Sequence, residues 1–318
     1  MNFEVLRRLV KIADLGTVSR AAESLLVAQP ALSRQIHQLE REFGQPLFIR
    51  NGRYLTLTAF GQKVVAQARL VLQDLDALRQ MTTSHEVPRR IELGASLTSV
   101  SGFLPQAVAC FRKTFPDVEL VIQTGLSSDV YHLVSAGAVE VGVVSTLYPH
   151  PYLHCETLFR DQLWVVCRSD HPLAERPAAT PEDLHRRPFV TMTKRSGLRQ
   201  DLTAIFSLYD VRVEIAMEID NVGVIQRMVQ AGLGLTVLPR SALIHHLYDH
   251  TLKAVPFVLS DAKAQESLAR PISLVHLGRT LSPAAEDWIR ICRQVARWYE
   301  TQDYAQLAAL GVVETTSL

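Results

Sequence analysis

The sequence runs to 318 residues, 47% of them apolar, with a formal net charge of +1, which is more chain than one compact core needs. Cys110, Cys155, Cys167 and Cys292 form no CxxC pair and have no His at zinc-ligand spacing, so a disulfide scaffold or structural zinc is not expected; they read as buried small hydrophobes in a reducing cytoplasm. No stretch reaches the roughly 18 continuous apolar residues of a membrane span, and no basic N-terminal region precedes an apolar run, so neither a membrane nor an export signal is expected.

Residues 1–90 hold 13 Lys and Arg against 8 Asp and Glu, and the remainder 20 against 24. A basic N-terminal segment on an acidic remainder fits a phosphate-binding module, although ordinary fluctuation of surface charge explains the split equally well. The first elements are short. Phe3, Leu6, Val10 and Ala13 make a helical stripe that Gly16 stops, and Thr17 or Ser19 caps a second helix through Ala21, Ala22 and Leu25. A third begins at Pro30, whose missing N–H costs nothing in a first turn. It turns Leu32, Ile36, Leu39 and Phe43 inward and ends at Gly44, leaving Ser33, Arg34, His37, Gln38 and Arg41 to solvent. Strand-like runs at 47–50 and 54–58 flank the turn Asn51-Gly52-Arg53. A long helix over 59–83 carries a thin apolar stripe, Val65, Ala68, Leu72, Leu75 and Leu78; its own domain offers little to cover it, so pairing with a second copy is expected. Residues 84–88 read as a linker.

Beyond residue 90, strands over 91–95, 118–123 and 141–144 alternate with helices over 103–115 and 129–136. A second block sets strands over 163–166, 189–192, 213–217 and 235–238 against helices over 198–208 and 222–231. Such alternation predicts parallel sheets with helices on both faces. The strand over 272–276 and the helix over 284–299 lack partners in the second block. They are expected to return to the first, making two lobes joined by two crossovers, with a cleft between them and a loosely packed tail over 301–318.

A helix-turn-helix puts its second helix into the major groove, where each base pair shows a distinct donor and acceptor pattern. The candidate DNA contacts are Thr17, Ser19, Gln29, Pro30, Ala31, Ser33, Arg34, His37 and Gln38, with Arg50 and Arg53 in the ribbon suited to phosphate or minor-groove contact. A solvated helix face of the ordinary kind would look similar. The run Gly16-Thr17-Val18-Ser19-Arg20-Ala21-Ala22-Glu23-Ser24-Leu25, then Ala28-Gln29-Pro30-Ala31-Leu32-Ser33-Arg34-Gln35-Ile36 and Leu39-Glu40, resembles the N-terminal signature of LysR-type transcriptional regulators. Phe43-Gly44, Leu47-Phe48, Arg50 and Leu57-Thr58-Ala59-Phe60-Gly61 extend it. Glu140-Val141 stands where that family commonly has Asp-Val.

The resemblance implies an α/β protein with a winged helix-turn-helix (1–58), a linker and dimerisation helix (59–88), and a two-lobed domain similar to periplasmic binding proteins (89–300), followed by the tail (301–318). The lobes would comprise about 89–161 with 269–300, and about 162–268. It further implies a homodimer, often a tetramer, on dyad-symmetric double-stranded promoter DNA, controlled by a small organic effector; contact with RNA polymerase is compatible with that role. No cofactor or metal is implied.

In open α/β lobes, ligands bind beyond the carboxyl ends of strands, at helix N-termini. Ser96, Leu97 and Thr98 follow the first strand, and Thr191, Thr193, Lys194 and Arg195 follow the strand over 189–192; Ser127 and Thr146 also follow strands. Facing each other they suit a small carboxylate, although such hydroxyls also cap helices. Other readings are weaker. Gly232-Leu233-Gly234-Leu235 follows a helix and precedes a strand, the reverse of a dinucleotide loop, so an enzyme gains no support and a helix stop fits better. His245, His246 and His250 lack an acidic neighbour to complete a zinc set. A redox-sensing regulator would want an exposed, cation-flanked cysteine beside a resolving partner.

Overall fold

The structure, a computed structural model, describes residues 2–51, 54–82, 90–150, 152–243, 251–261, 265, 268–278 and 281–301. Arg53, the linker over 84–88, His245, His246, His250 and the tail beyond residue 301 lie outside them. Two compact units make up the chain.

In the N-terminal unit, α1 (Phe3–Leu15) starts where Asn2 Oδ1 accepts from the Val5 amide at 3.0 Å and stops at Gly16 in the left-handed region. The residue that caps α2 (Val18–Ser24) is Thr17, whose Oγ1 accepts from the Arg20 amide at 3.3 Å; Ser19 is exposed. Helix α3 (Gln29–Phe43) opens one residue ahead of Pro30 and ends at Gly44. Strands β1 (Phe48–Asn51) and β2 (Tyr54–Leu57) form an antiparallel ribbon with Asn51 opposite Tyr54. Helix α4 (Ala59–Thr82) follows, and Gly61 at its start is obligatory, because a Cβ there would lie 2.0 Å from the Leu47 carbonyl oxygen. The core gathers Leu6, Leu9, Ile12, Leu32, Ile36, Leu39 and Leu47 with Val65 and Ala68 of α4.

That last pair corrects the expectation for the α4 stripe. Val65 and Ala68 are covered by their own unit, because α1 packs along α4 and Asp14 pairs with Arg69. Leu72 and Leu75 are half-buried, and the side chain of Leu78 lies outside the described set.

The second unit forms two lobes, one on a five-stranded sheet and one on a three-stranded and a two-stranded sheet, with the chain passing between them twice. In the first lobe the strand order is β4 (Glu119–Gly125), β3 (Arg90–Ser96), β5 (Val141–Val144), β12 (Arg270–Leu277), β6 (Leu153–Asp161). The sheet is mixed rather than parallel as expected: β3 runs parallel to β4 and β5, but β12 lies antiparallel to both β5 and β6. The physical reason is that β12 arrives from the other lobe instead of through a helical crossover within this one. Helices α5 (Leu97–Ser101), α6 (Phe103–Thr114) and α10 (Pro283–Thr301) accompany it, with Phe103, Phe111, Trp288 and Cys292 in the core; α7 (Ser127–Ser135) lies between β4 and β5 in the chain.

The second lobe centres on β7 (Leu163–Arg168), flanked by β10 (Thr236–Pro239) and β11 (Leu252–Pro256), both antiparallel to it rather than parallel as expected. Strands β8 (Pro188–Thr191) and β9 (Glu214–Glu218) pair in parallel, and Phe189 bridges to Leu235 just before β10. Helices α8 (Gly197–Leu208) and α9 (Val222–Gln230) complete it over a core with Phe189, Phe206 and Phe257. The Gly232–Gly234 stop is tight, since a Cβ on Gly234 would meet the Pro188 carbonyl oxygen at 2.4 Å. Among the described residues no helix is long and apolar enough to cross a membrane.

Candidate functional site

Two candidate surfaces occupy the two units. On α3, Leu32, Ile36 and Leu39 are buried, which fixes the opposite face: Gln29, Pro30, Arg34, His37 and Gln38 are exposed, while Ala31 and Ser33 are half-buried. Gln29 and Arg34 stand at the start of the helix and in its second turn, where a recognition helix meets base edges. Arg50 is exposed on β1, and Thr17 is held in its cap. Glu40, half-buried between α3 and the ribbon, ties the two elements together. Its Oε1 accepts from the Leu47 and Phe48 amides at 2.9 and 3.3 Å, and its Oε2 lies 3.1 Å from His37 Nδ1. This positioning residue was part of the quoted signature, but no local pattern gave it a role.

The second surface lies between the lobes, at the carboxyl ends of β3 and β5. Ser96 and Thr98 present hydroxyls that converge on Ser145: Ser96 Oγ is 3.2 Å and Thr98 Oγ1 is 2.6 Å from Ser145 Oγ, Ser127 Oγ accepts from the Ser145 amide at 3.3 Å, and Ser99 Oγ lies behind, 2.9 Å from Ser96 Oγ. From the other lobe come Met192, Ser196 and Gly197. Gly197 permits the approach, because any Cβ would sit 2.2 Å from Thr146 Oγ1. The cavity between these residues measures about 10 Å³, room for about one water molecule and far below the roughly 300–1,000 Å³ usual for drug-sized ligands.

The cation lining this space is Arg270, the first residue of β12 and 3% exposed. Its Nη2 donates to the Ser145 carbonyl and to Thr146 Oγ1, both at 2.7 Å, while Nη1 pairs with Asp201 of α8. Of the sequence candidates, Ser96, Leu97, Thr98, Ser127 and Thr146 come together here. Thr191 is buried at the end of β8, and Thr193 turns its hydroxyl to Asp220 at 2.7 Å. Lys194 and Arg195 are exposed, Arg195 reaching Asp129 of α7 at 3.3 Å. Arg270 escaped the sequence reading because a lone Arg before Pro271 opens a strand that only long-range pairing brings back to the first lobe.

Beside Arg270 in the sheet register, Asp161 closes β6. Burial pushes its carboxyl up to about 6, against the pull of the Ser241 amide, Arg240 and Arg270. Glu140, where the family commonly has Asp, accepts from Ser282 Oγ at 2.8 Å and so anchors the start of α10. Cys110, Cys167 and Cys292 are buried as expected, but Cys155 is exposed, since the first half of edge strand β6 faces solvent. Burial raises the buried thiols, Cys167 to about 11, which opposes thiolate formation. Among the described residues no group of three or more His, Cys, Asp or Glu is arranged to hold a metal ion.

A winged helix-turn-helix followed by a two-lobed binding fold defines an effector-controlled, DNA-binding transcriptional regulator. Residues 3–62 match the bacterial regulatory helix-turn-helix proteins of the lysR family, and residues 84–297 match the LysR substrate binding domain. The HTH-type transcriptional regulator CzcR of Bacillus cereus is 30% identical over 247 residues, covering 78% of this chain and 83% of its own. Full-length OxyR from Pseudomonas aeruginosa shares the fold with a TM-score of 0.72 at 22% identity, covering 93% of this chain and 95% of that one. Full-length CbnR, solved in complex with its target DNA, gives 0.54 at 18%, covering 93% and 100%. The chain belongs to the LysR family of transcriptional regulators, which is non-enzymatic.

Proposed function

We infer that the protein binds dyad-symmetric promoter DNA in the cytoplasm as a homodimer or a tetramer built from two dimers. A small organic anion, a carboxylate, taken up between the lobes would control it. The observation that carries the DNA reading is the single exposed face of α3 bearing Gln29, Arg34, His37 and Gln38. In this reading Arg34 reads a base edge, Gln29, Ser33, His37 and Gln38 add contacts to bases and phosphates, and Arg50 and Arg53 meet the backbone beside the groove. Thr17, Ser19, Pro30 and Ala31 lie against the backbone at the ends of α2 and α3. Dimerisation falls to the part of α4 beyond Leu72, since Val71 and Leu72 pack against their own unit. The hydroxyls of Ser96, Thr98, Ser127 and Thr146, with Arg270, receive the carboxylate; Thr191, Thr193, Lys194 and Arg195 act from the rim. Arg34→Ala should abolish preference for a dyad site in footprinting while the protein stays folded and oligomeric. Unchanged protection of that site would overturn the assignment.

A further inference from the structure

Arg270 is an unusual cation for an anion site, because its charge is already answered. A guanidinium 3% exposed needs an opposite charge or full hydrogen bonding. Nη2 is committed to the first lobe, through the Ser145 carbonyl and Thr146 Oγ1. Nη1 is held by Asp201, which projects from α8 of the second lobe. The Nε, equally buried, has no hydrogen-bond partner. Asp161, the other nearby carboxylate, is fixed by the Ser241 amide. Asp201 differs in being movable: its side chain is 55% exposed, so it can turn to water with little loss of solvation.

We propose that Asp201 is a built-in counter-anion for Arg270, which an effector carboxylate displaces, so that Asp201 sets both the charge the effector must carry and the affinity with which it binds. The proposal rests on the reading of the cleft as a carboxylate site. A neutral ligand of the same shape leaves the Arg270–Asp201 pair intact and gains no counter-charge. A carboxylate exchanges one ion pair for another, and the net gain is what it makes with the surrounding hydroxyls and with Nε. Because Asp201 belongs to the second lobe while Nη2 is bound to the first, displacement also cuts one of the ties across the cleft. Such a device makes binding weaker than the bare Arg270 would allow and makes it depend on the ligand's charge.

The test uses the full chain at fixed ionic strength, with acetate, benzoate and succinate as probes and acetamide and benzamide as neutral counterparts, read by calorimetry and thermal shift. At least one carboxylate should bind and its amide should not. Asp201→Asn should lower the Kd for that carboxylate about tenfold, equivalent to about 1.4 kcal/mol. Asp201→Ser should do the same, which covers the case in which the Asn variant misfolds, whereas Asp201→Glu should stay within about twofold of the parent. Arg270→Gln, with its circular dichroism unchanged, should abolish binding. If the Asn and Ser variants bind no tighter than the parent while Arg270→Gln loses binding, Asp201 is not a competitor and the carboxylate site stands. If no carboxylate binds the parent or the Asp201 variants, both readings fall together.

Discussion

Ala28 occupies the N-cap of α3 without a side chain to accept a first-turn amide, and Leu26, just before it, is held at φ 54° with 93% of its surface exposed. Each is a local cost on the turn that aims the recognition helix. A hydroxyl at an N-cap typically contributes about 1 kcal/mol over Ala, so Ala28→Ser should slow amide exchange across the first turns of α3 about fivefold. Exchange that stays unchanged would mean that the amides already find partners in water. For Leu26 the left-handed backbone costs an L residue roughly 1–2 kcal/mol, and Asn tolerates it best after Gly. With almost no apolar burial to lose, Leu26→Asn should raise the melting temperature of the N-terminal unit. A lower melting temperature would show that Leu26 packs against something in the assembled protein.

Between α3 and the ribbon, one carboxylate does the joining. The Leu47 amide is buried and Glu40 is its acceptor, so Glu40→Ala should strand it at a cost of about 2 kcal/mol, accelerating exchange at Leu47 and Phe48 about 30-fold. Glu40→Gln keeps an acceptor and should lose less than half as much; equal losses in the two variants would make the charge, not the hydrogen bond, the cause. Glu40 also shows where sequence reading stops. The three short helices, their glycine stops and the ribbon follow from periodicity and capping, because those signals act within a few residues of themselves. The α3 face was legible for the same reason, once Leu32, Ile36 and Leu39 were turned inward. Strand β6 was not, since its exposed first half carries no apolar alternation, and β11 ends in Pro256. The polarity of the main sheet in each lobe was misread because the pattern gives a strand's existence but not its direction. In the cleft, the hydroxyls after β3 and β5 were visible as post-strand residues, whereas Arg270 and Asp201 meet only through a return of the chain over 69 positions.

At the scale of the whole effector unit, the two places where the chain passes between lobes lie side by side. Asp161 ends β6 at the first crossing and Arg270 opens β12 after the second, paired in the sheet register. A buried carboxyl raised to about 6 from an ordinary 3.8 is stabilising only while protonated. Below pH 4 the folded and unfolded states both hold the proton, and the contribution is fully present. As the pH climbs from about 4 to 6, the unfolded chain releases its proton first, and the folded state loses about 3 kcal/mol relative to it, the equivalent of roughly two pKa units. Above about pH 6 the folded carboxyl is itself ionised and the loss is complete. Asp161→Asn keeps an acceptor for the Ser241 amide but carries no proton to release. Its stability relative to the parent, followed by tryptophan fluorescence in urea, should therefore improve from pH 4 to pH 7 by an amount of that order. A difference that stays constant across this range would mean that Arg240 and Arg270 hold the Asp161 carboxylate charged throughout, with their attraction outweighing its burial.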